Sequence, residues 1–129
     1  MEQAALDLDA AEDVQSSHPH VACFLAQQAA EKAVKALLYA QGADKKTGHS
    51  ISDLLTRIRG AEDLISASDA LALDLLSQAT RYPDALQGGV PAKLFTATQA
   101  AEALDRARRI VGACGQMLAA LGESGPDGG

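Results

Sequence analysis

Gln28, Lys32 and Lys35 stand four and three residues apart, and Glu31 precedes Lys35 by four. On a helix this spacing brings two ammonium groups and an amide onto one face and lets Glu31 pair with Lys35. Such a face is either a solvated surface with one intrahelical ion pair or one wall of an anion site. Arg81-Tyr82-Pro83-Asp84 is a second group. The guanidinium is a planar fork suited to phosphate, and the tyrosine adds a ring and a hydroxyl. Pro83 fixes the chain just beyond them. The same residues also fit a plainer role, in which Arg81 bonds the last carbonyls of its own helix and Tyr82 packs.

The three histidines are His18 and His20, either side of Pro19, and His49. The first two read as exposed residues at a helix start. His49 reads as a local structural residue or as an extra donor to an anion. Cys23 and Cys114 sit within apolar helical patterns and read as small buried hydrophobes. With no C-x-x-C pair and no Cys/His cluster, a zinc site is excluded. Phosphate-binding glycine loops, a nucleophile elbow and paired Glu-x-x-His motifs are also missing from the sequence.

The net charge of −6 argues against a duplex-DNA binder that works by neutralising phosphates. Its distribution says more. Segments 1–17 and 61–80 carry acids and no base, whereas 18–60 and 81–109 are richer in bases than acids. Two basic segments in an acidic chain can meet as one patch. Aromatic residues are 3% of the chain, too few for stacking platforms on single-stranded nucleic acid. No apolar run is long enough for a membrane span. Met1-Glu2-Gln3 lacks a basic signal-like start. A cytoplasmic location is expected by default.

The elements that must position these groups are helical. Ala and Leu dominate the apolar set and β-branched residues are sparse. Five amphipathic stretches are predicted, at about 2–14, 19–41, 50–59, 67–81 and 96–121. The expected caps are Ser17, Ser50 (with Asp53 three residues on), Ser66 or Ser68, and Thr96 or Thr98. Gly42 and Gly60 read as helix stops. The inward residues expected of the fourth helix are Leu71, Leu75, Leu76 and Ala79. The long segment 82–96, with two Pro and adjacent Gly88-Gly89, is a loop. The fold class is all-α: an antiparallel, up-and-down bundle of four to five helices over 1–121. A long loop precedes the last helix, and a disordered tail occupies 122–129.

Four pieces of sequence together resemble the HEPN domain family (higher eukaryotes and prokaryotes nucleotide-binding). They are Ala22–Leu38 (ACFLAQQAAEKAVKALL), His49-Ser50-Ile51, Arg81-Tyr82-Pro83-Asp84, and the Ala-rich final helix around Thr98–Ala101. The resemblance implies a helical bundle, often a homodimer, and frequent pairing with a small nucleotidyltransferase in toxin–antitoxin-like systems. Family ribonucleases carry an Arg followed four to six residues later by His. Here all three His precede the first Arg, Arg57, and no His follows Arg81. The implied function is therefore a nucleotide- or RNA-binding module. Its phosphate-binding residues would be Lys32, Lys35, His49 and Arg81, with Tyr82 against a base or sugar and Asp84 orienting Arg81 or helping hold magnesium. The expected ligand is an RNA segment or a nucleotide such as ATP with magnesium. Two alternatives stand beside it: a non-catalytic interaction or dimerisation module, and a divergent, metal-independent ribonuclease using His49.

Overall fold

The computed structural model describes residues 1–43, 50–81 and 95–123, without the side chains of 78–81 and 123. The described residues form six helices: α1 (Glu2–Val14), α2 (Pro19–Ala40), α3 (Ile51–Leu55), α4 (Ala61–Leu64), α5 (Ala67–Arg81) and α6 (Ala97–Glu123). All are α-helices, as composition and periodicity predict.

The helix ends follow the local chemistry. Pro19 starts α2, where its missing N–H costs nothing. The α2 cap is His18 and makes no side-chain bond, so the expected Ser17 cap is not formed. Gly42, at φ 94°, takes the left-handed turn after α2 that residues with a Cβ resist. The Ser50 hydroxyl accepts the Asp53 N–H and caps α3. The Ser66 hydroxyl does the same for Asp69 at the start of α5. Thr96 and Gln99 form a reciprocal capping box on α6: each side chain accepts the other's backbone N–H, at 3.0 and 2.9 Å. The predicted third helix is interrupted. It ends at Leu55, and after turns and Gly60 (φ 83°) a separate short α4 follows. The last helix runs two residues further than expected, to Glu123.

The core lies between α2 and α6. Ala22, Ala26, Ala29, Ala30 and Ala33 of α2 are fully buried, as are Ala100 and Ala107 of α6. Small side chains on both sides let the two backbones approach closely. Leu37, Leu104, Ile110 and Cys114 fill the remaining space. α1 and α5 flank this pair, each packing against both α2 and α6. α1 is tied to α2 by Asp7 and Lys32, and it runs antiparallel to α6, with Glu12 at Arg108 and Met1 beside Gly115. α5 runs antiparallel to α6: its first turn meets Arg106 and Arg109, and Leu75 and Leu76 lie beside Gln99 and Glu102. The up-and-down bundle is thus realised by α1, α2, α5 and α6, with α3 and α4 packed at one side.

One expected face is wrong. Leu71 and Leu75 of α5 are 55% and 59% exposed, while Ala70, Leu73 and Ser77 point inward. Leu76 is half-buried against the core. The Ala79 side chain lies outside the described residues. Two acids set this rotation. Asp69 is held by α6 and Asp74 by α3. Five residues apart, they stand about 140° apart around the helix axis. The face between them is directed at the core, and the leucines are left outside.

Candidate ligand site

The α2 motif forms a connected polar edge. Gln27 is 1% exposed. Its amide nitrogen donates to Glu31 Oε1 at 2.9 Å, and its oxygen accepts from Gln28 Nε2 at 2.8 Å. Lys35 Nζ donates to Glu31 Oε2 at 2.9 Å, which is the predicted i, i+4 pair. The buried Gln27 is an addition to the residues expected from sequence. Its signal is the i, i+4 spacing to Glu31, which continues to Lys35.

Lys32 is placed differently. Its Nζ lies 2.6 Å from Oδ2 of the buried Asp7 on α1, whose other oxygen accepts from Gln3 Nε2. This ties α1 to α2 across the bundle surface. Lys32 and Lys35 are both half-exposed, and each already faces a carboxylate. A phosphate reaching either lysine must share it with that carboxylate.

Asp74 supplies the other half of the geometry. Its two carboxylate oxygens accept the backbone N–H groups of Ile51 and Ser52, at 2.8 and 3.0 Å. These are orphan donors of the first turn of α3, and an acid suits the positive end of a helix. The bond pair fixes the start of α3 to the middle of α5, two turns before Arg81. His49 precedes Ser50 directly, and Arg81 is the last residue of α5. The start of α3 and the helix that ends at Arg81 are therefore neighbours. α2 packs against both α3 and α5. His49, Tyr82 and Asp84 lie outside the described residues, as does the Arg81 side chain. Asp74 itself is legible in the sequence only as the second acid of α5, after Asp69.

A second charged cluster lies at the α5–α6 seam. Asp69 is 4% exposed and accepts from Arg106 Nη1, Arg109 Nε and Arg109 Nη2, each at 2.9 Å. The Arg109 hydrogen bonds, with help from Arg106, hold the Asp69 carboxyl below the usual carboxylate range against the opposing effect of burial. These arginines join α6 to the first turn of α5.

Neither thiol is poised for chemistry. Burial pushes Cys23 up to about 11 and Cys114 up to about 12, so both stay protonated at neutral pH. This matches their reading as small hydrophobes. Among the described residues no group of His, Cys, Asp or Glu is arranged to hold a metal ion. Among the described residues no helix is long and apolar enough to cross a membrane.

Comparison with known proteins covers most of the chain. The family model of the HEPN domain matches residues 1–117. The crystal structure of TT1696 from Thermus thermophilus superposes with a TM-score of 0.79 at 39% identity, over 90% of this chain and 93% of that one. The crystal structure of ST0689, an archaeal HEPN homologue, gives 0.73 at 41% identity with the same coverage. The comparison with curated proteins returned no match.

Proposed function

The chain belongs to the HEPN domain family, and from that premise we propose that it is a binding module for a nucleotide or a short RNA segment. The observation that carries this reading is the capture of the Ile51 and Ser52 amides by Asp74. It holds the start of α3, two residues after His49 in the sequence, against the helix that ends in Arg81. In this reading Arg81 and His49 receive phosphate oxygens. Lys32 and Lys35, on the edge of α2, add long-range attraction, each shared with the carboxylate it already faces, Asp7 and Glu31. Tyr82 lies against a base or sugar, and Asp84 orients Arg81 or shares a magnesium ion with the phosphates. Binding of this kind depends on charge and weakens as salt rises. Catalysis is not part of the proposal: the family's Arg-then-His ribonuclease spacing is missing from the sequence. The protein partner that fits is a small nucleotidyltransferase, as the family resemblance implies.

The test is calorimetric titration of the purified protein with ATP–magnesium, GTP–magnesium and a short single-stranded RNA, at low and moderate salt. Saturable, salt-sensitive binding to one of them is expected, with loss of about tenfold or more in Arg81→Ala. Absence of binding to all three, or equal binding by Arg81→Ala, would overturn the assignment.

A further inference from the structure

α2 is enclosed by its neighbours except along one strip. Ala22, Cys23, Ala26, Ala29 and Ala33 are fully buried. Phe24, Gln28, Glu31 and Lys35 instead reach the surface. Their spacing puts them within about 60° of one another around the helix axis. Followed from the N-terminal end, the strip carries an aromatic ring, an amide, a carboxylate and an ammonium group. Phe24 is 38% exposed, so part of a large apolar side chain is left uncovered beside the amide.

The two amides of this strip have one orientation only, and Glu31 sets it. A carboxylate accepts and does not donate. Gln27 therefore turns Nε2 to Glu31, at 2.9 Å, which puts its Oε1 on the other side. That oxygen is met only by a donor, so Gln28 turns its own Nε2 toward it, at 2.8 Å. The choice between the carbonyl and amino ends, normally open for a glutamine, is closed twice in succession. Burial enforces it, because Gln27 is almost fully enclosed and an unpaired amide there is costly. Gln28 is half-buried and keeps an unspent pair of groups. Its Oε1 accepts no hydrogen bond from the described residues, and its second Nε2 hydrogen is not used by Gln27.

An acceptor beside a donor in one plane is complementary to adenine, whose 6-amino group donates and whose neighbouring ring nitrogen accepts. Adenine offers that pair on both its N1 and N7 edges, guanine on its N1 edge alone. Phe24, one turn before Gln28, supplies an apolar ring for the base to lie against. About 10 Å of helix separates Gln28 from Lys35, room for a sugar and the first phosphates. The strip is thus ordered as a nucleotide is, with the base first and the phosphates last. We infer that Phe24 and Gln28 form the base-reading end of the ligand site and that the base they take is adenine. The ring lies against Phe24, the 6-amino group donates to Gln28 Oε1, and a ring nitrogen accepts from Gln28 Nε2. Gln27 is a positioning residue, since it acts through Gln28, and Tyr82 is left to the sugar. This rests on the nucleotide-binding function proposed above and adds the identity of the base.

The test is calorimetric titration of the full chain with three magnesium-loaded ligands. They are ATP, purine riboside triphosphate, which lacks only the 6-amino group, and inorganic tripolyphosphate, which lacks base and sugar. The wild type is expected to bind ATP roughly tenfold more tightly than purine riboside triphosphate. Gln28→Leu is expected to lower ATP affinity to that of the analogue and to change analogue affinity by less than about threefold. Gln27→Leu is expected to shrink the same preference, which a purely structural role would not move. Phe24→Ala is expected to weaken both nucleotides by roughly tenfold and tripolyphosphate by less than about twofold. Equal wild-type affinity for ATP and the analogue would overturn the adenine assignment, as would a preference that survives Gln28→Leu. Either result, with ATP binding still lost in Arg81→Ala, would leave the binding-module function standing. Absence of ATP binding would also overturn the adenine assignment, and the RNA titration then decides the binding-module function separately.

Discussion

α2 and α5 are both rich in apolar residues, yet they use them in opposite ways. α2 buries a row of alanines against α6 and carries its polar residues as a linked edge outside. α5 turns small residues and Leu73 inward, points two leucines at solvent, and is held by two acids. The first helix is fixed by close packing. The second is fixed by ion pairs and by capping of another helix, which leaves Leu71 and Leu75 exposed. In α2, then, periodicity predicts burial. In α5 the strongest apolar periodicity marks the wrong face for the monomer core.

The contrast can be broken first at its packed side. Leu37→Ala removes a fully buried side chain beside the alanine seam and is expected to destabilise the fold by about 2–5 kcal/mol. Urea unfolding followed by circular dichroism measures this. Asp69→Asn comes next. It weakens three charge-assisted hydrogen bonds to Arg106 and Arg109, and a loss of about 1.5–3 kcal/mol is expected. Asp69 also predicts a pH dependence. Its folded-state pKa lies below the unfolded value, so its contribution is fully present above the unfolded value near about 3.9 and disappears as pH falls through the folded pKa. Thermal melts of wild type and Asp69→Asn should therefore converge in acid and separate above about pH 4. Convergence at neutral pH would contradict the clamp.

Asp74→Ala is expected to cost about 0.5–2 kcal/mol, the ordinary loss of a helix cap, while weakening ligand binding by more than its effect on stability suggests. Paired urea melts and ATP–magnesium titrations of the variant measure both. Asp74→Asn, which can still accept one of the two N–H groups, should fall between. Smallest of all, Leu75→Ser on the exposed face should change the unfolding free energy, read from the same urea melts, by less than about 0.5 kcal/mol.

Much of this molecule is legible in the sequence. The spans of α1, α2 and α5, the Ser50, Ser66 and Thr96 caps, and the Glu31–Lys35 pair follow from local rules acting over three or four residues. What is not legible depends on partners distant along the chain. Asp74 binds amides 22 and 23 residues away, and Asp69 binds arginines 37 and 40 residues away. No local pattern reports such contacts, and they decide which face of α5 turns inward. For the same reason Lys32 reads as a ligand group, yet the structure pairs it with Asp7, 25 residues away. Of the candidate site, the sequence supplies the residue types and the structure supplies the joint that holds α3 to α5. The Gly60 interruption that separates α3 from α4 is visible as a stop, but the extra helix beyond it is too short to show a period.

The central claim is that a phosphate-bearing ligand is received where the segments adjoining Asp74-clamped α3 and α5 carry His49 and Arg81. Backbone amide chemical shifts of isotope-labelled protein, recorded during titration with ATP–magnesium and with short single-stranded RNA, test it most directly. The account predicts saturable shifts concentrated at residues 49–52 and 81–84, with lesser changes along Gln28–Lys35 and none centred on Leu71. Shifts confined to α1 or to the second half of α6, or no shifts with either ligand, would contradict it.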